Sequence, residues 1–453
     1  MLKDHIFREY DIRGIYPDEL NEQSVTLLGK AFGTYYKKNN AKKITLGRDC
    51  RLSSPELSKW LKRGILSCGI DILELGVVPT PLVYFSLHIL DVDGGIQITG
   101  SHNPPEFNGF KVCLGRETIY GEEIQKIKEI CKSKDFAEGS GKVEQTEIVD
   151  KYINYVLNNI KPGPYKKKVV VDGGNGTACE VATRIYEGLG FKVIPIFCEP
   201  DGNFPNHHPD PTIPENLTQL INKVKEEKAD LGIAFDGDGD RIGVVDEEGD
   251  IIWGDQLMII FSRDLLRKYK GGKIIGEVKC SQVLYEEIEK NGGEPIMWKT
   301  GHSLIKKKMK EEGALLAGEM SGHLFFAERY FGYDDAIYAG ARLLEILSTK
   351  KEGIKELLSD LPKMVNTPEI RIDCPDEIKF EVVSEIAEEF KKEGYNVVDV
   401  DGARVIFRDG WGLIRASNTQ PVLVLRFEAR NQKRLEEIQQ IFREKLKKRG
   451  IKF

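Results

Sequence analysis

The sequence predicts an α/β protein: three related mixed-sheet α/β domains in series plus a C-terminal α+β domain around a central cleft. Three observations carry this. Short apolar runs of strand character alternate with amphipathic helical stretches. The alternation recurs with a period of roughly a hundred residues, too long for a solenoid. In each recurrence a strand runs into a loop of chemically able side chains, at the kind of strand end where α/β folds place ligands.

In the first domain, residues 1–148, an amphipathic stretch near 25–38 precedes a strand at 43–47, a helix at 55–67 and a strand at 71–75. Pro79-Thr80-Pro81 opens another helix, since proline suits a first turn. Strands follow at 94–99 and 110–113. The second domain, 149–250, repeats the order with strand 168–171, helix 177–188, strand 192–196, helix 217–227 and strands 229–235 and 242–246. The third, 251–365, has strand 273–276, helix 282–290, strand 295–298, helix 303–311 and strands 314–317 and 324–326. Alternation of this kind favours mostly parallel sheets. The last part, 366–453, differs: strands at 369–373, 396–401, 403–407, 412–416 and 422–427 crowd together, with helices only at 380–393 and 433–448. That is an α+β pattern.

Composition narrows the functional class. The chain has 453 residues, 30% charged and 40% hydrophobic, as a soluble globular protein does. A net charge of −6 gives no general attraction to nucleic acid or to an anionic membrane, so neither is expected as a partner. The eight cysteines are dispersed and none forms C-x-x-C. Neither a zinc ribbon nor a disulfide framework is indicated, and reduced thiols are expected. Residues 1–10 hold no apolar core of a signal peptide, and no apolar run has membrane-spanning length. A cytoplasmic location is expected.

The strongest local signal is Phe235-Asp236-Gly237-Asp238-Gly239-Asp240-Arg241. Three carboxylates at alternate positions repel one another, and a hard cation relieves that. An oxygen-only ligand set favours Mg²⁺ or Ca²⁺ over zinc or copper. The glycines let the backbone turn so that the side chains converge. An EF-hand also spaces its aspartates this way, and Glu247 falls at its twelfth position. However, Arg241 stands where that loop needs glycine, and the flanks are strands. A plain acidic turn rarely needs this pattern. A phosphatase using the first Asp as nucleophile stays open from these residues alone. Ser101, on a turn in Thr99-Gly100-Ser101-His102-Asn103-Pro104, is a poor nucleophile if left as a free hydroxyl. His207-His208 reads as a structural loop, because neighbouring histidines do not easily share one ion. Gly173-Gly174-Asn175-Gly176 lacks the spacing of a phosphate cradle and reads as a tight strand-to-helix turn.

Taken together, Thr99–Pro104, Asp236–Arg241, Gly318-Glu319-Met320-Ser321-Gly322 and Arg415-Ala416-Ser417-Asn418-Thr419 stand in this order, one per domain. They resemble the α-D-phosphohexomutases, specifically the bacterial phosphomannomutase/phosphoglucomutase group. The resemblance implies a phosphorylated Ser101 in the first domain. It implies one Mg²⁺ per subunit held by Ser101, Asp236, Asp238 and Asp240, with the aspartates in the second. As ligands, the aspartates are not nucleophiles, which disfavours the phosphatase. Arg13, His102, Lys111, Arg241 and His323 match positions around the phosphoserine, where cations stabilise the transferring phosphoryl. Lys111 and His323 are the favoured general bases. Glu319 and Ser321 match the sugar-recognition loop of the third domain. A pair that holds O3 and O4 tolerates either configuration at O2, where glucose and mannose differ. Tyr10, Lys279 and His302 match further substrate positions. Arg415, Ser417, Asn418 and Thr419 match a loop of the fourth domain that holds the non-reacting phosphate. Gln420 departs from the Glu or Thr common in the group. The implied reaction interconverts hexose 1- and 6-phosphates, of mannose and glucose, through a bound 1,6-bisphosphate, with glucose 1,6-bisphosphate as activator. The partners are hexose phosphates, and the chain is expected as a monomer or homodimer. Phosphoglucosamine mutase is the nearest alternative, disfavoured by Met320 where that group tends to have Gln. A sugar phosphatase and a non-catalytic binding protein are the others.

Overall fold

Strand directions in the computed structural model, which describes residues 2–417 and 420–453, follow from which connections are long enough to cross over. The first sheet contains β1 (Ile12–Ile15), β2 (Lys43–Arg48), β3 (Asp71–Val77), β4 (Gly94–Ile98), β5 (Phe107–Leu114), β6 (Glu117–Thr118) and β7 (Val143–Gln145). Their order is β1-β5-β4-β2-β3-β7, with β6 on β5. β2, β3 and β4 are parallel because the helices Ser54–Leu66 and Thr80–Ile89 carry the chain back between them. β5 returns antiparallel to β4, and the loop between them carries Ser101. Helices Glu22–Lys38 and Ser54–Leu66 lie together on one face, filled by Leu28, Phe32, Leu61 and Ile65. Their backbones meet at two glycines. A Cβ on Gly29 would lie 2.4 Å from the Leu61 carbonyl oxygen, and one on Gly64 would lie 2.4 Å from that of Thr26.

The second sheet comprises β8 (Lys168–Asp172), β9 (Lys192–Ile196), β10 (Leu231–Phe235), β11 (Ile242–Asp246) and β12 (Ile251–Ile252), in the order β12-β11-β10-β8-β9. β8, β9 and β10 are parallel, whereas β10 and β11 are antiparallel. The acidic run therefore joins two antiparallel neighbours. Six residues cannot carry a crossover, which takes a dozen or more. Both sheets are thus mixed.

The chain divides into two compact units, Met1–Gly254 with Ser321–Leu357, and Asp255–Met320 with Leu358–Phe453. The first holds both sheets above. In the second, β13 (Lys273–Glu277), β14 (Glu294–Trp298) and β15 (Leu316–Gly318) are parallel, in the order β14-β13-β15. β16 (Leu324–Phe326) falls in the first unit. The C-terminal sheet is antiparallel throughout: β17 (Val365–Asn366), β18 (Ile370–Asp373), β19 (Asn396–Val398), β20 (Ala403–Phe407), β21 (Gly410–Ala416) and β22 (Val422–Ala429). Helices Lys379–Lys392 and Gln432–Lys447 bury Ile386, Phe390, Ile438 and Phe442 against it. This is the α+β arrangement expected of the last domain.

One expectation is corrected. Cys179 and Cys198 are disulfide-bonded, with Cα atoms 5.1 Å apart, while the other six cysteines are free. The pair joins the start of the helix Cys179–Gly188 to the residues just after β9, elements adjacent in space but 19 residues apart in sequence. Such spacing carries no motif.

Candidate active site

Ser101 sits beyond β4 with φ of +50°, a left-handed conformation that costs a non-glycine residue energy and is held by its surroundings. Its amide donates to Thr99 Oγ1 (2.8 Å), and the Gly100 amide donates to Asp49 Oδ2 (3.1 Å). The hydroxyl donates to Asp236 Oδ2 at 2.9 Å and lies 3.0 Å from His102 Nδ1. The two loops named from sequence, 99–104 and 236–241, therefore meet.

Within the acidic loop, Asp236 Oδ1 accepts from the amides of Gly239 (3.0 Å), Asp240 (3.1 Å) and Arg241 (3.1 Å), which folds the run around that carboxylate. Asp236, Asp238 and Asp240 are fully buried, with one oxygen from each within 4.8 Å of the others. Lys111, from β5, donates to Asp238 at 2.7 Å and also to Asp240. Thr80 donates its hydroxyl to Asp238 and its amide to the Asp238 carbonyl (2.8 Å). Burial and the neighbouring Asp238 and Asp240 push the Asp236 carboxyl well above its usual range. Burial also opposes charge on Asp238, but the Lys111 ammonium overrides it and holds that carboxyl low. The same partners outweigh burial at Lys111 and hold its ammonium charged.

Asp238 Oδ1 and Asp240 Oδ1 are buried and accept no hydrogen bond. Two orphaned anionic oxygens in an all-oxygen set fit a small hard cation. A second group, Asp240, His323 and Asp334, also lies together. There, Arg241 Nε donates to His323 Nε2 (3.0 Å), which leaves the imidazole proton on Nδ1, 3.1 Å from Asp334 Oδ2. The imidazole is thus engaged on both sides, by the Arg241 guanidinium and the Asp334 carboxylate. Arg13 donates to Asn103 Oδ1 (2.6 Å) and to Asp11, while its buried Nε has no hydrogen-bond partner. Half-buried His102 is held neutral by burial first, then by the Arg241 and Arg13 guanidinium groups. The first unit thus brings together Ser101, His102, Arg13, Lys111, Arg241, His323 and the aspartates. Tyr10 lies near them in sequence, two residues before β1, and Ser321 lies in the same unit two residues before His323.

The second unit holds the other residues singled out from sequence. Buried Glu319 accepts the Gly301 amide at 2.8 Å, beside His302. Lys279 pairs with Glu369 (3.3 Å) and Glu277 (3.6 Å). Arg415 Nε donates to Asp401 Oδ2 (3.0 Å), and the same oxygen accepts the Thr300 amide (3.1 Å). Ser417 Oγ accepts the Gln420 amide at 3.2 Å, and Gln420 Oε1 accepts from Arg371 at 2.6 Å. Asn418 and Thr419 lie outside the described residues.

Four stretches of the chain match the domains of one family. Residues 4–138 match phosphoglucomutase/phosphomannomutase α/β/α domain I, 150–249 domain II, 253–365 domain III, and 369–445 the C-terminal domain. The chain belongs to the phosphoglucomutase/phosphomannomutase family. The phosphomannomutase/phosphoglucomutase of Pseudomonas aeruginosa is 49% identical over 445 residues, 98% of this chain and 95% of that protein. The phosphoglucomutase of Neisseria meningitidis is 46% identical over 442 residues, 97% and 96% of the two chains. A phosphoglucomutase/phosphomannomutase family protein from Burkholderia thailandensis has a crystal structure that matches with TM-score 0.95 and 43% identity, covering 100% of both chains.

In this phosphohexomutase two residues that sequence reasoning passed over hold the loops in place. Arg51, fully buried, donates to the carbonyls of Ser101 (2.8 Å), Asn103 (2.6 Å), Pro104 (2.7 Å) and Phe107 (3.0 Å). Its partner Asp49 (3.2 Å) holds the Gly100 amide. Glu277, at the end of β13, accepts from the Met320 amide (2.9 Å) and the Thr300 hydroxyl (2.5 Å), so it ties the Glu319 loop to the Thr300 turn. A buried Arg in a loop, or a Glu closing a strand, gives a signal only once its neighbours are known.

Proposed function

We propose that this phosphohexomutase works through phosphorylated Ser101 and acts on both mannose and glucose phosphates. The chain is a mutase that interconverts hexose 1- and 6-phosphates, the activity its relatives are named for. In our reading, residues 1–148 supply the phosphoserine loop and 149–250 the metal loop. Residues 251–365 supply the sugar-recognition loop, and 366–453 hold the phosphate that is not in transfer. The single observation that carries this reading is the Ser101 hydroxyl set 2.9 Å from Asp236 at the edge of a buried three-carboxylate cluster.

The free hydroxyl of a hexose 1-phosphate attacks the phosphorus on Ser101. The bond to Ser101 Oγ breaks, a bond to the sugar O6 forms, and the hydroxyl proton passes to a base; Lys111 and His323 are our candidates, and Lys111 serves only after giving up the proton that Asp238 and Asp240 hold on it. The bisphosphate turns over, and its 1-phosphoryl returns to Ser101 by the reverse chemistry. Asp236, Asp238 and Asp240 with Ser101 would hold one Mg²⁺ per subunit, whose charge offsets that of the phosphoryl group. Arg13, His102 and Arg241 line the same place. Glu319 with Ser321 would hold O3 and O4. Tyr10, Lys279, His302, Arg415, Ser417, Asn418 and Thr419 would hold the rest of the substrate. Glucose 1,6-bisphosphate would prime an unphosphorylated serine. A cytoplasmic location belongs to the same reading, to which the chain adds that no described helix is long and apolar enough to cross a membrane.

The test is a Mg²⁺-dependent assay with mannose 1-phosphate, glucose 1-phosphate and glucosamine 1-phosphate, primed by glucose 1,6-bisphosphate. Conversion of the first two is expected, with Ser101→Ala nearly inactive. Conversion of glucosamine 1-phosphate alone overturns the substrate assignment, and steady release of free phosphate overturns the mutase route.

A further inference from the structure

The loop 197–213 carries the adjacent histidines, which the reaction above does not use. His207 stands with each ring nitrogen on an oxygen. Nε2 lies 3.0 Å from Asp172 Oδ2 and 3.1 Å from Oδ1, and Nδ1 lies 3.0 Å from the His208 carbonyl. A carbonyl can only accept, and so can an ionised carboxylate. The site therefore asks for a proton on both nitrogens. The ring meets Phe197 edge-on, 5.6 Å between centroids. Asp172, at the end of β8, is the charged group that faces it; the His208 backbone supplies the other oxygen.

Asp172 does a second thing: its Oδ1 accepts the Gly174 amide at 2.8 Å. That opens the turn 173–177, which is further held by Asn206 Nδ2 on Asn175 Oδ1 (2.8 Å) and by the Asn175 amide on the Phe197 carbonyl (2.8 Å). The turn rests directly on the metal loop. Thr177 donates its amide (3.2 Å) and its hydroxyl (3.3 Å) to the Gly237 carbonyl. A Cβ on Gly176 would lie 2.7 Å from the Gly237 carbonyl oxygen, and a Cβ on Gly237 would lie 2.6 Å from that of Ser101. No side chain fits between these three backbones, so a shift of the turn reaches the loop that holds the aspartates.

We propose that His207 is a positioning residue of this enzyme: as an imidazolium paired with Asp172 it clamps the turn 173–177 against the metal loop, and the affinity of that loop for a divalent cation falls when His207 loses its proton. The proposal rests on the metal reading given above. The direction of the proton equilibrium agrees: burial alone would lower His207, but the Asp172 carboxylate and the His208 carbonyl raise it. A raised histidine contributes fully below its ordinary pKa of 6.5 and loses that contribution as pH rises through its folded value.

The test has two arms on the full chain. In the first, nuclear magnetic resonance of histidine-labelled protein without metal follows the His207 ring from about pH 6 to about pH 9. Both nitrogens protonated at pH 6.5 is the expected result, and a ring already neutral there overturns the proposal. In the second, Mg²⁺ alone is titrated calorimetrically into wild type, His207→Gln and Asp172→Asn. The advantage of wild type over both variants in Mg²⁺ affinity should shrink as pH rises across that range, because the raised Asp236 carboxyl is common to all three proteins. Both variants should bind about tenfold more weakly at the acid end, the low end of the range for groups that orient ligands from outside the ligand set, and should approach wild type at the basic end. Variants that match wild type in affinity and profile overturn it. If Mg²⁺ does not bind wild type at any pH, the metal reading fails instead, and the resonance arm still decides the state of His207.

Discussion

A buried guanidinium fixes the backbone of the loop that carries Ser101. Arg51 spends its donors on four carbonyls of the loop 101–107, and no lysine can, because an ammonium is a point with three donors while guanidinium is a rigid fork. Arg51→Lys should keep the fold but let Ser101 drift, and a displacement of about an ångström at a reacting atom costs about a hundredfold in rate. Steady-state kinetics should show kcat falling by that order with KM little changed; an equal loss in both would mean that the loop serves binding instead. Glu277→Gln tests the other loop. One acceptor on the Met320 amide or the Thr300 hydroxyl is lost, at a cost of about 1–3 kcal/mol for a buried partner. KM for the hexose phosphate should rise, with the rate on bound substrate preserved. The three aspartates stood out in the sequence by their spacing, and Ser101 only through the motif that carries the family resemblance; the structure brings the two loops together. Arg51 and Glu277 were not legible, since their meaning lies in carbonyls and amides that come near only in the folded chain.

At the level of elements, strands and the loops at their ends were readable where apolar runs were short and flanked by glycine or proline, as at β4, β8 and β10. The direction of pairing was less so: β10 and β11 look like neighbours in an alternating series, and only the shortness of the loop between them makes them antiparallel. One helix without a polar face was passed over. In Ala336–Leu347 every residue is buried, so the contrast that marks an amphipathic helix is missing, and Asp335, which caps it by accepting the Tyr338 amide at 2.8 Å, was the remaining cue. Another helix, Thr80–Ile89, carries His88 against Phe331, ring centroids 4.3 Å apart. Burial, helped by Arg116, lowers His88 from 6.5 to about 4. The unfolded chain then takes up a proton that the folded chain refuses, so stability is lost as pH falls from 6.5 toward 4. His88→Leu should flatten that part of the curve of unfolding free energy against pH, measured in urea at each pH. An unchanged slope would assign the acid sensitivity to other groups.

At the scale of the whole molecule, the serial order of domains was legible because the first three repeat strand, helix and loop and the last breaks the pattern. The limits of the two compact units were not, because they depend on which distant segments share a core, and Ser321–Leu357 joins the residues before 255 across an intervening stretch of chain. This division gives the metal reading its most direct test. A cation held by Asp236, Asp238 and Asp240 binds the folded first unit and has no such site when that loop is open. At a hundredfold excess over its dissociation constant it should add about 2.7 kcal/mol to the stability of the segments that carry it. Hydrogen exchange with and without Mg²⁺ should therefore slow in Leu231–Phe235 and Ile242–Asp246, which flank the loop, and stay unchanged in Lys273–Glu277 of the second unit. Asp238→Asn should remove the effect, because it takes a charge from the cluster and one of the two oxygens that accept no hydrogen bond. Equal slowing in all three strands, or slowing that survives in Asp238→Asn, would place the ion elsewhere and leave the orphaned carboxylate oxygens to another partner.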